Sequence, residues 1–261
     1  MDITAELTIV IPLRIDCIER KYNLDAILLY LSSYTNAKII LMEVDNKQNF
    51  YPKKQYKRIG YYFKKDSNDI FHYTKYRNEL LLLTETKIVA IWDVDIFVNL
   101  SQIKRAVESI KKGLTMCIPY DGRAFYLNPD ESIKARKNIN NYLHNYKEGT
   151  LKPILGRPSV GGTFIVNIER YLRTGGENEN FYGWGPEDAE RLKRMEILQE
   201  PVGRIEGPLF HLHHPRNINS TLVDDERNRN NVKEFIKICR MNNDEIRKYI
   251  DRWSIFNRTD S

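Results

Sequence analysis

The chain is short of cysteine. It has three, at positions 17, 117 and 239, and no two form a Cys-x-x-Cys pair. A disulfide-framed fold is therefore excluded, and a reducing compartment is the simplest setting. Long apolar runs are also missing, since the apolar stretch nearest the N-terminus ends at Leu13 and follows acids rather than Lys or Arg. Neither a signal peptide nor a membrane-spanning helix is expected, so the reading is a cytoplasmic protein, with peripheral contact to the inner membrane face as its only membrane option. No internal repeat or low-complexity tract occurs. Nor does one sign of charge dominate: 41 Lys+Arg against 35 Asp+Glu leaves a net charge of +6. That mild excess suits a phosphorylated small molecule or an anionic membrane surface. A nucleic-acid binder would explain the charge alone, without a compact basic patch interleaved with aromatics.

What is present is ordinary globular composition, 41% hydrophobic and 29% charged over 261 residues, enough for one large domain. Leu7–Leu13 and Ala37–Val44 read as buried strands, with Arg58–Phe63 a weaker third. Between the first two, Leu24, Ile27, Leu28 and Leu31 recur at helical spacing and place a helix over Asp16–Ser33. Tyr76, Leu80 and Leu83 mark a second helix, and Ile103, Val107 and Ile110 a third. Lys87–Val98 is the most apolar strand and Leu114–Pro119 a short one. This alternation predicts an α/β fold with a mainly parallel sheet flanked by helices.

Residues 121–158, rich in Tyr, Asn and Lys, read as an excursion from the sheet carrying one helix near Pro129–Lys147. Gly162–Ile168 returns as a strand and Gly175-Gly176 as a turn. Pro186–Leu198 is a helix with acids in its first turn and Glu187/Arg191 and Glu190/Arg194 pairs four apart. Val232, Phe235, Ile236 and Cys239, then Ile246, Tyr249, Ile250 and Trp253, predict packed C-terminal helices over 218–261.

Three clusters could carry chemistry. Trp92-Asp93-Val94-Asp95 interrupts the most apolar strand, and on an extended chain its carboxylates share one side. Buried acids at the carboxyl end of a parallel strand require a cation or partner. Asp95 is thus a candidate ligand for a divalent ion shared with a diphosphate, and Asp93 a contact for a sugar hydroxyl or a brace. Against this stands a plain strand end with solvated acids. His211-Leu212-His213-His214 holds three of the five histidines. Either His211 and His213 share a strand face, or a turn pairs His211 with His214; carboxylate, imidazole and phosphate oxygens together suit Mn²⁺. Gly183-Trp184-Gly185-Pro186-Glu187-Asp188 places an indole able to stack on a sugar before two acids at a helix N-terminus, where the dipole favours ionised carboxylates. Such a carboxylate can accept a proton from an attacking hydroxyl.

The ordered set Ile11-Pro12-Leu13-Arg14, Asp93-Val94-Asp95, Gly161-Gly162, Gly183–Asp188 and His211–His214 resembles metal-dependent GT-A fold glycosyltransferases of the β-1,4-galactosyltransferase and chondroitin-polymerase type. Their signature is Gly-Trp-Gly-x-Glu-Asp, and the match runs over roughly residues 7–217. The resemblance implies a GT-A domain with a nucleotide-sugar half (1–120), a variable excursion (121–158) and a donor/acceptor half (159–217). It implies inverting, Mn²⁺-dependent transfer of a hexose or N-acetylhexosamine from a UDP-sugar to the hydroxyl of a saccharide or glycolipid acceptor. Pro12 and Arg14 would line the nucleotide pocket, Asp93 the ribose, and Gly161 and Gly162 the donor sugar. Trp184 and Glu187 would contact sugars, Asp188 would be the base, and Asp95, His211 and His214 would hold the metal. Where the family has Phe-x-Arg this chain has Phe71-His72-Tyr73, so Lys75 or Arg77 would replace that phosphate contact. Ser159 stands where the family has a bulky residue and would leave room for a donor C2 substituent. A non-catalytic carbohydrate- or nucleotide-binding module and a metal-dependent hydrolase are the alternatives.

Overall fold

The computed structural model describes residues 2–53, 56–221 and 225–253. The first half lays down β1 (Leu7–Leu13), α1 (Ile18–Tyr34), β2 (Lys38–Asp45), β3 (Ile59–Lys65), α2 (Tyr73–Leu82), β4 (Ile88–Trp92), β5 (Ile96–Phe97), α3 (Leu100–Lys111) and β6 (Met116–Ile118). Then follow β7 (Ala124–Tyr126), α4 (Pro129–Lys137), α5 (Ile139–Asn145), β8 (Thr163–Asn167), α6 (Ile168–Arg173), α7 (Glu187–Ile197), β9 (Val202–Arg204), β10 (Leu209–His211), α8 (Glu226–Cys239) and α9 (Asn243–Ile250).

The main sheet runs β3-β2-β1-β4-β8-β6-β9 and a minor one β5-β10-β7. β8 alone runs antiparallel to its neighbours β4 and β6, so the large sheet is parallel apart from one strand. β1 and β4 are buried along their whole length, as expected of strands covered on both faces. A smaller core of Leu198, Ile238, Ile246, Ile250 and Trp253 joins α7 to α8 and α9. Among the described residues no helix is long and apolar enough to cross a membrane.

Four expectations are corrected. The strand over Lys87–Val98 is two strands in different sheets. The chain turns at Asp93–Asp95, where the Asp93 amide donates to the Gly162 carbonyl at 2.9 Å and the Leu212 amide to the Asp95 carbonyl at 2.7 Å. The single helix near Pro129–Lys147 is two, because Asn138 is extended (φ −164°, ψ 98°) and its side chain caps the second helix at Asn141. Leu83 lies beyond α2 and is exposed. On α8 the apolar face was assigned inward, yet Val232, Ile236 and Cys239 are exposed; Asn231 and Ile238 are buried instead. Residues 222–224 and 254–261 of the expected C-terminal segment lie outside the described residues.

Candidate active site

A cleft opens where β1 and β4 end, closed by the start of α7, the end of β10 and the start of α2. Its lining includes Pro12, Arg14, Asp93, Asp95, Trp184, Glu187, Asp188, His211 and His214. The turn at 93–95 gives its two carboxylates different partners. Asp93 faces Arg77, whose Nη2 donates to Oδ1 at 3.3 Å. Asp95 is buried against the two histidines: His214 Nε2 lies 3.1 Å from Oδ2 and His211 Nε2 3.5 Å from Oδ1.

Both imidazoles are oriented by the backbone, His211 Nδ1 on the Leu212 carbonyl at 2.8 Å and His214 Nδ1 on the Pro215 carbonyl at 2.9 Å. A carbonyl only accepts, so each Nδ1 donates to it and both Nε2 atoms are left directed at the carboxylate. One ligand atom from each of Asp95, His211 and His214 falls within 4.8 Å of the others, a carboxylate–imidazole set that fits a divalent metal. His213 is turned away, its amide donating to Ser132 Oγ and its carbonyl accepting from Asn23. Of the alternatives read from the sequence, the geometry pairs His211 with His214.

Arg20, on the first turn of α1, was not singled out from the sequence. It donates to Asp16 at 2.8 Å and to Asp95 Oδ2 at 2.9 Å. Burial alone would raise the Asp95 pKa, but His211, His214 and Arg20 outweigh it and hold the carboxylate well below its usual range. The only sequence signal for Arg20 was an acid four residues before it at a helix start.

Across the cleft, Arg77 lies within 4 Å of four carboxylates: Asp93 and Glu177 at 3.3 Å, Asp188 at 3.6 Å and Glu187 at 3.8 Å. Arg191, buried and stacked 3.9 Å over the Phe164 ring, grips Glu177 through two 2.6 Å bonds and donates to Asp188 Oδ1 at 2.8 Å. The expected Glu187/Arg191 pair is therefore replaced by Asp188/Arg191, while Glu190/Arg194 forms at 2.8 Å. Two guanidiniums face four acids, of which Glu177 and Glu187 are buried and Asp93 and Asp188 half-buried. Burial, with the Asp188 carboxylate beside it, pushes Glu187 well up from the ordinary glutamate value. At Glu187 desolvation works against the helix dipole and outweighs it.

Gly161 packs directly on Asp188, where a Cβ would collide with Oδ2. Gly162 adopts φ +88°, which favours glycine. Arg14 is pinned by the carbonyls of Val44, Asn68 and Asp69, leaving its buried Nη2 without a partner beside the cleft. Of the two candidates for the phosphate contact, Arg77 lines the cleft and Lys75 does not. Ser159 is half-buried and is not among the residues lining the cleft.

Residues 152–216 match a family model described as the N-terminal domain of galactosyltransferase, a quarter of the chain. Over nearly its whole length the chain superposes on solved transferases. A Drosophila β-1,4-galactosyltransferase 7 complex with manganese, UDP-Gal and xylobiose is 14% identical (TM-score 0.52), covering 90% of this chain and 79% of that one. The fold is that of the GT-A glycosyltransferases. The catalytic domain of the same Drosophila enzyme with xylobiose gives 14% identity and a TM-score of 0.53, with 91% and 82% covered. GalNAc-T7 with UDP, GalNAc and Mn²⁺ gives 12% and 0.55, with 94% of this chain covered but only 50% of that one. No curated protein sequence matches the chain.

Proposed function

We propose that this GT-A domain is an inverting glycosyltransferase that moves a hexose or N-acetylhexosamine from a UDP-sugar to an acceptor hydroxyl with Mn²⁺. The observation that carries the reading is the pairing, across one cleft, of the Asp95–His211–His214 donor set with Asp188. Asp95, His211 and His214 are the residues to hold the ion, which when bound supplies positive charge against the leaving diphosphate. Arg14, with an unpartnered N–H beside Pro12, is placed to donate to the nucleotide. Trp184, 38% exposed at the cleft, offers a face to a sugar ring. Glu187, kept in its neutral form by burial, can donate its proton in a hydrogen bond to a sugar hydroxyl. Asp188, oriented by Arg191, accepts the acceptor's hydroxyl proton as the new bond forms.

A panel of UDP-sugars assayed with Mn²⁺ and saccharide acceptors, scored for UDP and for the anomer formed, tests the reading. Acceptor-dependent UDP release with inverted product is expected. Release of free sugar at the same rate without acceptor would support the hydrolase instead. Asp95→Ala, His211→Ala and His214→Ala should each weaken Mn²⁺ binding, and full transfer in excess chelator would remove the metal from the reaction.

A further inference from the structure

The outward face of α8 has no role in the cleft, and its composition is unusual. Val232 and Ile236, 41% and 43% exposed, lie one turn apart on the solvent side, flanked by Lys233, Lys237 and Arg240. Beside them, Ile236 and Met241 contribute the apolar part of a groove of about 560 Å³ against α9, with Lys233, Lys237 and Arg240 around it. Glu245 is the one acid among the residues lining this groove, against three cations. Glu234 is turned inward, accepting from Asn178, Asn180 and Tyr249, and Glu226 stands a full helix length away at the first turn. Glu245, on the α9 side, closes the capping box with Asn242. The Lys237 ammonium lies over the Tyr249 ring at 3.7 Å and 3.8 Å from Glu234, so Lys233 and Arg240 are the cations left to meet a ligand.

We propose that this face docks the chain on an anionic lipid bilayer. Aliphatic side chains set among cations suit the headgroup boundary, where apolar groups enter the acyl edge and lysines and arginines meet phosphates. A nucleic-acid surface would instead interleave stacking aromatics with the charges, and α8 exposes none. The other end of the helix supports a purpose for the docking. Asn231 packs against Gly185 and Arg227 against Gly183, so α8 backs the loop that carries Trp184. A bilayer on this helix would lie close to the side of the cleft that Trp184 borders, where a membrane-borne acceptor could reach it. The docking itself does not depend on the reaction assigned to the cleft, and binding measurements test it separately.

The test is flotation of the full chain with phosphatidylcholine vesicles, with and without phosphatidylglycerol, over a salt series. Binding only to the phosphatidylglycerol vesicles, and weakening with salt, is expected. Lys233→Gln combined with Arg240→Gln should lower the partition coefficient roughly thirtyfold, from two charges at about fivefold each. Ile236→Ser should lower it severalfold while leaving salt sensitivity intact. All three positions are exposed, and an unchanged melting temperature will show that the variants fold. Failure of the wild-type chain to float with anionic vesicles would overturn the proposal. So would undiminished binding by the charge variant, which would place the contact elsewhere. An oligonucleotide that binds as tightly, and is lost with the charge variant but not with Ile236→Ser, would make the face a polyanion site.

Discussion

Asp188 owes its placement to residues that never touch solvent. Arg191 is fixed by Glu177 and Phe164, and only its remaining N–H reaches Asp188. Asp188→Asn keeps the shape and removes the proton-accepting oxygen. Turnover should fall on the order of 10²–10⁴-fold with donor and Mn²⁺ affinities nearly unchanged. A residue that merely favours the helix start would show the opposite, a lower melting temperature with catalysis intact. Arg191→Lys keeps the buried charge but loses the fork that holds Glu177 and Asp188 together. It should reduce kcat more than it raises donor KM. An unchanged kcat and kcat/KM would make Arg191 a stability residue only. The sequence displayed the groups that meet a ligand, Asp95, Trp184 and Asp188, because carboxylates in an apolar strand and Gly-Trp-Gly stand out locally. It hid Arg20 and Glu177, whose partners lie 75 and 14 residues away in the chain. Such long-range pairing has no local signature.

At the scale of elements, the N-terminus of α7 sets two effects against each other. The helix dipole favours an ionised Glu187, whereas burial and Asp188 favour the neutral acid, and burial prevails. A carboxyl whose pKa is raised in the fold contributes stability that is fully present below its unfolded value and is lost as pH rises through the folded one. The melting temperature should therefore decline as pH rises from the ordinary glutamate value of 4.5 through the neutral range. Glu187→Gln, neutral at every pH, should flatten that decline, and thermal melts of both proteins across the range decide it. A parallel decline in the two would assign the effect to another group, of which Asp93, pushed up to about 6 by burial, is the first candidate. Strands and long helices were legible because β1, β2 and α3 declare themselves by period. The break after Trp92 was not, since Val94 and Ile96–Val98 carry the apolar run past the two aspartates and the turn shows only in long-range bonds, from Asp93 to Gly162 and from Leu212 to Asp95. On α8 the apolar period pointed the wrong way. Asn231 and Glu234 face inward because Tyr182, Asn178, Asn180 and Tyr249 satisfy them, a compensation no periodicity records.

For the molecule as a whole, the metal donors tie together parts of the chain that are distant in sequence. Asp95 follows the last strand of the parallel block, while His211 ends β10 in the minor sheet and His214 follows it. The two stretches meet through β5, two residues long with Ile96 opposite His211, and through the bond from the Leu212 amide to the Asp95 carbonyl. An ion that engages all three side chains binds the folded arrangement and has no equal site in the unfolded chain, so it stabilises the whole domain by mass action. At a free concentration near 100 times its Kd the gain is about 2.7 kcal/mol, enough to raise the melting temperature of a domain this size by several degrees. Mn²⁺ should therefore raise the melting temperature with a logarithmic dependence on concentration, and chelator should reverse it. Asp95→Ala should abolish the rise, although it also leaves Arg20 with Asp16 as its one carboxylate partner and lowers the metal-free melting temperature. His211→Ala removes a ligand without disturbing that ion pair, so it should lose most of the metal response from a nearly unchanged starting point. If Mn²⁺ stabilised His211→Ala as much as the wild-type chain, the ion would be binding somewhere other than this cleft, and the three residues would be a hydrogen-bonded cluster of the fold.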